Sequence, residues 1–228
     1  MKVGMRVLGL DTATSGCSAA VWDDGRVTAR RAEPMARGQA EALVPMVQAV
    51  LADAGVTVDG LDRIAVTVGP GAFTGLRIAL AAARGFALAA GLPILGVTTF
   101  DAVAHALPED ERRGRRVLVA IDSRRAEPFL QLFDEDLAPL GEPVLLEPAA
   151  VPGWLAAKAP GGPLLVAGDA AAMLAPVLAG RADTAYAAGP GLPDAAVVAE
   201  LGARRTGGLP AQPLYLRAPD VTLPKAKS

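Results

Sequence analysis

The chain has one cysteine, Cys17, and one histidine, His105, among 228 residues. A single cysteine excludes an internal disulfide and any multi-cysteine zinc cluster, as expected of a reducing compartment, and Cys17 reads as a small buried apolar residue. A single histidine beside Ala104 and Ala106 offers no partner at metal-ligand spacing, and no Gly-x-Ser-x-Gly elbow is present. Zinc-dependent and nucleophile-and-base hydrolysis therefore lack recognisable residues. Charge of one sign is also missing: the formal net charge is -2, so no global positive field draws the chain to nucleic acid, and any RNA contact has to be local or supplied by a partner. Long apolar runs are short or broken. The first stops at Asp11, and the alanine-rich stretch from Ile78 to Ala90 is interrupted by Arg84 and Gly85, so neither reads as a signal-peptide core or a membrane span. The expectation is a cytoplasmic protein without a membrane partner.

What is present suits a packed domain. Hydrophobic residues make up 52% of the chain, enough over this length for one large domain or two lobes. Val7 to Asp11, Cys17 to Trp22 and Arg26 to Arg31 read as strands, with Asp23-Asp24-Gly25 as a hairpin turn. Gln39 to Ala54 carries Leu43, Val47, Val50, Leu51 and Ala54 at helical spacing, and Gly55 ends it. Ala42, Met46 and Ala49 add a second apolar stripe. A second helix over Phe73 to Ala90 is apolar around most of its girth, with Gly75, Ala79, Ala82, Ala83, Gly85 and Ala89 keeping it smooth. Such surfaces lie deep in a core or meet another protein.

Arg63 to Val68, the second helix and Pro93 to Val97 form a βαβ crossover, so the first sheet is mixed. After a charged stretch around Pro108 to Arg116, Val117 to Asp122 repeats the opening plan of apolar strand, terminal Asp and short polar turn. Phe129 to Phe133, Pro143 to Leu146 and Leu164 to Ala167 continue the strands. Helices are expected over Pro148 to Lys158, Asp169 to Leu178 and Asp194 to Arg204.

Three places invite chemistry. Asp11-Thr12-Ala13-Thr14-Ser15 and Asp122-Ser123-Arg124 each put a carboxylate at a strand end, where it can hold hydrated Mg²⁺ beside phosphate-binding hydroxyls, or simply cap a turn. Gly69-Pro70-Gly71-Ala72-Phe73-Thr74-Gly75-Leu76-Arg77 runs into a helix start. It reads either as an anion site or as a tight connection with Thr74 as the cap, and it matches neither the Walker A loop nor the dinucleotide fingerprint. Arg112, Arg113, Arg115, Arg116, Arg124 and Arg125 form a basic cluster, partly cancelled by Glu109, Asp110 and Glu111.

The paired strand-Asp turns resemble the actin-like ATPase and sugar-kinase superfamily. Leu8-Gly9-Leu10-Asp11-Thr12-Ala13-Thr14, the Gly69 to Arg77 segment, Gly96-Val97-Thr98-Thr99, Ala120-Ile121-Asp122-Ser123-Arg124 and Pro213-Leu214-Tyr215-Leu216-Arg217 together resemble the TsaB family over nearly the whole chain. The resemblance implies an α/β fold: an actin-like (ASKHA) duplicated two-lobe architecture with a mixed sheet and helices in each lobe, one lobe over residues 1–107 and the other over 108–228. It implies a non-catalytic partner subunit of the complex that makes N6-threonylcarbamoyladenosine (t6A) in tRNAs, supporting TsaD, which carries a His-x-x-x-His metal pair, and recruiting the ATPase TsaE. A homodimer is expected in isolation, with tRNA met only indirectly.

The expected partner contact uses the first two helices, through Ala42, Met46 and Ala49 and through Gly75, Ala79, Ala82 and Ala83. No metal and no catalytic residue is implied, and no cofactor is required. ATP or ADP with Mg²⁺ at a partner interface would involve Asp11, Thr12, Thr14, Asp122 and Arg124. A small-molecule kinase or ATPase of the same superfamily is the alternative, with Val166-Ala167-Gly168-Asp169 as its adenosine-side turn. A peptidase lacks its metal ligands here. Two departures stand out: Gln39 replaces a His usual in the family at the first helix, and Pro128 falls where a strand would run, which predicts an edge strand or bulge.

Overall fold

A computed structural model describes residues 4–189 and 191–216; Arg217 of the closing motif lies outside the described residues. Two five-stranded sheets form the frame. In the first, β1 (Arg6–Asp11) pairs antiparallel with β2 (Gly16–Asp23), which pairs antiparallel with β3 (Arg26–Pro34). On the other side of β1 run β4 (Arg63–Gly69) and β5 (Ile94–Thr98), both parallel, giving the order β3-β2-β1-β4-β5. The second sheet has the order β10-β9-β6-β7-β8, from β6 (Arg116–Ile121), β7 (Phe129–Phe133), β8 (Val144–Leu145), β9 (Leu164–Ala167) and β10 (Thr184–Tyr186). It repeats the plan of the first, a central strand with an antiparallel hairpin on one side and parallel strands on the other. The central strands β1 and β6 are covered on both faces and are accordingly almost wholly apolar.

Helices α1 (Gln39–Ala54) and α2 (Phe73–Ala90) cover one face of the first sheet, packing Leu43, Met46, Val47, Val50, Ala79, Leu80 and Ala83 against Leu8, Leu10, Ile64 and Val66. By length and composition α2 could cross a membrane, with a mean hydropathy of 1.3 over its 18 residues; here its buried stripe packs on the sheet. In the second lobe α5 (Val151–Lys158) and α6 (Ala171–Leu178) cover one face through Val151, Leu155, Leu174 and Leu178.

Two further helices cross over. Helix α3 (Thr99–His105) follows β5 but packs Phe100, Val103 and Ala104 on the second sheet, against Val117, Val119 and Phe133. After the short α4 (Glu109–Arg112) and the second sheet, α7 (Ala195–Arg204) returns to the first sheet and packs Val198, Ala199 and Leu201 against Val7, Ala65 and Leu95. Residues 209–214 stay there: Gly96 N–H donates to Leu209 O at 2.8 Å and Leu214 N–H to Val68 O at 2.7 Å. A cut at residue 107 thus separates the sheets but not the packing units, because each lobe borrows a helix from the other's sequence. Two ion pairs brace the exchange, Arg30 with Asp194 at the start of α7 and Arg205 with Asp101 on α3.

Pro128 does not make an edge. It sits one residue before β7, which lies inside the sheet between β6 and β8, so its missing N–H interrupts no ladder. Sequence patterning also passed over α3, α4 and β10, all short.

Candidate functional site

The Gly69 to Arg77 segment shows what its glycines are for. The β4–α2 turn lies directly on the β1–β2 turn: Ala72 N–H donates to Ala13 O at 2.7 Å, a Cβ on Gly71 would sit 2.1 Å from Ala13 O, and one on Gly75 would sit 2.0 Å from Thr12 O. No side chain fits at either position. Thr12 gives its hydroxyl to Gly75 O at 2.7 Å, which ties the two turns together.

Asp11 lies beneath this contact and is fully buried. Its Oδ1 accepts from Thr67 Oγ1 at 2.6 Å and from Ala13 N–H at 3.0 Å, while Oδ2 has no partner. Burial pushes its carboxyl up to about 7, against the lowering effect of those two hydrogen bonds. A carboxyl so placed does not face a solvated metal, and the Thr12 hydroxyl is already given away. In this structure Asp11 and Thr12 hold the two turns together. Asp122 likewise closes its own turn, accepting from Arg124 N–H at 2.7 Å, and its N–H donates to Asp169 Oδ1 at 2.8 Å. On the adenosine side the chain fills its own space. Gly191 lies so close to Gly168 that a Cβ on it would be 2.3 Å from the Gly168 carbonyl carbon.

Thr14 and Arg124, by contrast, reach an open feature. A notch of about 430 Å³ lies between the starts of α1 and α2, lined among others by Thr14, Ser15, Arg37, Glu41, Thr74 and Arg124. Neither helix has a side-chain N-cap, since Gly38 and Ala72 occupy the cap positions. Thr74 is thus not the cap that its sequence position suggested. Uncapped helix starts leave first-turn N–H groups available to an anion. Gln39 turns back instead, its Nε2 donating to Met35 O at 2.7 Å.

Next to the notch stand three exposed side chains. Arg77 places its guanidinium 3.8 Å from the centroid of the Phe73 ring, and Tyr215 stacks with Phe73 at 5.8 Å and 26°. The closing motif and the glycine segment, far apart in sequence, meet here. A larger cavity of about 580 Å³ opens between the lobes, walled by β2, β3, α3 and residues 187–189 and 191–194.

The partner-contact residues divide. Met46, Gly75, Ala79 and Ala83 are buried within the first lobe, and Ala42, Ala49 and Ala82 are half-buried. Gly75, Ala79 and Ala83 let α2 lie close to the sheet and the β1–β2 turn, and are spent on that contact. The outer face instead presents Val44, Pro45 and Gln48 on α1 and Ala81, Gly85 and Leu88 on α2; Leu88 is 87% exposed. Periodicity finds them only once the inward face is known. With Leu80, Ala83 and Ala87 facing in, helical periodicity turns Ala81, Gly85 and Leu88 outward.

Among the described residues no group of three His, Cys, Asp or Glu side chains is placed to hold a metal ion. His105 ends α3, and burial lowers its affinity for a proton; burial raises the Cys17 thiol to about 11.

The family described as TsaD, tRNA N6-adenosine threonylcarbamoyltransferase, matches residues 32–175. The tRNA threonylcarbamoyladenosine biosynthesis protein TsaB of Escherichia coli K12 is 39% identical over 132 residues, 58% of this chain and 56% of the relative. The chain thus matches little more than half the length of that curated relative. A crystal structure from Pseudomonas aeruginosa, described as similar to the peptidase YeaZ, covers 93% of this chain and is itself covered completely, with 32% identity and a TM-score of 0.75. The activator of 2-hydroxyisocaproyl-CoA dehydratase from Clostridium difficile, solved with bound ADPNP, shares the fold at a TM-score of 0.52 and 11% identity over 87% of this chain and 94% of its own. The two-lobe architecture is that of the actin-like ATPases.

Proposed function

The chain belongs to the TsaB/YeaZ family, and on that premise we propose that it is a non-catalytic partner subunit of the cytoplasmic machinery that makes t6A in tRNA. In this reading it binds and supports TsaD, the subunit that transfers the threonylcarbamoyl group, and helps to bring in TsaE. The observation that carries it is the outer face of α1 and α2, where Val44, Pro45, Ala81, Gly85 and Leu88 lie on a surface that the other described residues leave uncovered. Exposed apolar side chains grouped on neighbouring helices mark a protein contact. The glycine at the centre of the α2 stripe lets a partner backbone approach, and Leu88 provides the projecting knob. In isolation the same face can pair with its copy about a twofold axis, so a homodimer competes with the heterodimer.

The absence of catalysis is part of the proposal. Its support is that Asp11 and Thr12 are consumed inside the fold and that Gly191 covers the Gly168 turn, so the reacting groups and adenosine space a small-molecule kinase needs are already taken. A peptidase would need ligands that one histidine does not supply. No cofactor is required. A nucleotide at the partner contact, ATP or ADP with Mg²⁺, is optional to this reading.

The test is size-exclusion chromatography with light scattering, on this chain alone and mixed with TsaD of the same source. Leu88→Asp, at a side chain with almost no contacts of its own, should abolish the heterodimer and leave the melting temperature within about 1–2 °C of the parent. A parent chain that forms no complex, or a variant that pairs as well as the parent, overturns the proposal.

A further inference from the structure

We propose that the edge of the first lobe where α1 and α2 begin receives a single-stranded RNA segment, with a phosphate in the notch and a neighbouring base stacked on the Phe73–Tyr215 pair. Two independent features carry it.

The notch is built for an anion. Thr14 is 4% exposed, its hydroxyl has no partner, and it lines the notch. A buried hydroxyl is seldom left without a partner, and a phosphate oxygen would accept its hydrogen. The starts of two long helices, both without side-chain caps, open onto the same space. Arg37 and Arg124 line it, with Glu41 the one acid among the lining residues.

The ring stack is built for a base. Phe73 is 53% exposed and Tyr215 50% exposed, yet the rings are held in order by each other, by the Arg77 guanidinium, and by the Leu214–Val68 backbone bond one residue before Tyr215. Aromatic faces of this kind stack bases without regard to sequence. On the first turns of α2, Thr74 and Ile78 face the notch while Phe73 and Arg77 carry the stack. The two features are therefore separated by no more than about the 10–12 Å diameter of one helix.

The stack stands open on the surface. A free nucleotide is held in a pocket that buries most of it, whereas a strand passing over needs only a phosphate contact and a ring to lie on. That difference favours RNA over a free nucleotide, and the choice of RNA rests on the proposed role in tRNA modification. With a net charge of -2 the contact is local. The single phosphate in the notch predicts a log-log salt slope of about -0.7, the value per phosphate contact on a single strand.

The test is fluorescence anisotropy of this chain alone with a labelled RNA stem-loop, against a fully paired duplex of the same composition, over a range of salt and with free ADP as competitor. The loop should bind better than the duplex. Tyr215→Ala should weaken loop binding roughly tenfold or more, and Arg124→Ala should flatten the salt slope. Thr14→Val should also weaken binding while leaving the melting temperature equal or higher, which separates a ligand contact from a folding defect. The inference is overturned if the loop does not bind at low salt, if duplex binds as well, or if Tyr215→Ala changes only the complex with TsaD. It is also overturned if ADP occupies the notch and excludes RNA at comparable concentration. The chromatographic test uses Leu88 and no RNA, so either idea can fail alone.

Discussion

Replacing Gly9 by alanine probes whether the second lobe is truly seated on the first. A Cβ on Gly9 would lie 2.1 Å from Ala195 O, 2.8 Å from Ala199 N and 2.9 Å from Ala199 Cβ. Ordinary contact begins near 3.4 Å, so α7 has to retreat by about 1.3 Å, the difference from 2.1 Å. The obstacle is backbone and cannot rotate away, and Ala195 N–H is itself anchored to Ser18 Oγ at 3.0 Å. Retreat loosens Val198, Ala199 and Leu201 against Val7, Ala65 and Leu95. Overpacking of this kind costs about 1–3 kcal/mol, and the rigid obstacle places it at the upper end. Gly9 is not among the positive-φ residues, so alanine also returns roughly 0.5–1 kcal/mol of backbone entropy. The net loss is about 2 kcal/mol, or a melting temperature lower by roughly 4–8 °C for a chain of this size. Scanning calorimetry reads it, with Gly153→Ala as control, because nothing lies within 4 Å of a Cβ there. An unchanged or higher melting temperature for Gly9→Ala would show that α7 does not rest on β1. The α1/α2 outer face is on the other side of the sheet, so partner binding should survive.

Gly85 gives the opposite sign. Nothing lies within 4 Å of its Cβ in the middle of α2, so Gly85→Ala should stabilise the isolated chain by about 1 kcal/mol, while Gly85→Glu should fold and lose the partner; chemical denaturation and light scattering check the two halves. Asp11 predicts a pH dependence. Its pKa rises from 3.8 to about 7 on folding, so the folded chain keeps a proton that the unfolded chain releases. That stabilisation is complete below about pH 4 and lost as pH climbs toward 7, for a fall of roughly 4 kcal/mol at most. Asp11→Asn should remove the fall from urea midpoints measured between pH 4 and 8. Parallel profiles for parent and variant would refute it.

Much of the fold is written in local pattern. The continuous apolar runs of β1 and β6, the Asp-Gly turn after β2, and the 3.6-residue period of α1 and α2 each arise within a few consecutive residues, where steric and burial preferences act directly. The repeated strand-Asp-turn plan likewise announced two lobes. Side-chain chemistry at the site was less legible. Thr14 and Arg124 reach the notch, but Asp11 and Thr12 in the same motif are spent on Thr67, Ala13 and Gly75, partners distant in sequence or set by the fold. The small residues of α2 looked like an outer face because spacing cannot say which side of a nearly all-apolar helix meets the sheet.

The sequence by itself determined the longer strands and helices and how the two lobes repeat, since these follow from residue type and short-range period. Only the tertiary structure decided that α3 and α7 exchange lobes, that Leu88 faces out while Met46 faces in, and that Tyr215 lies on Phe73. Each of these depends on contacts between residues far apart in the chain, whose geometry is set by sheet order and helix docking.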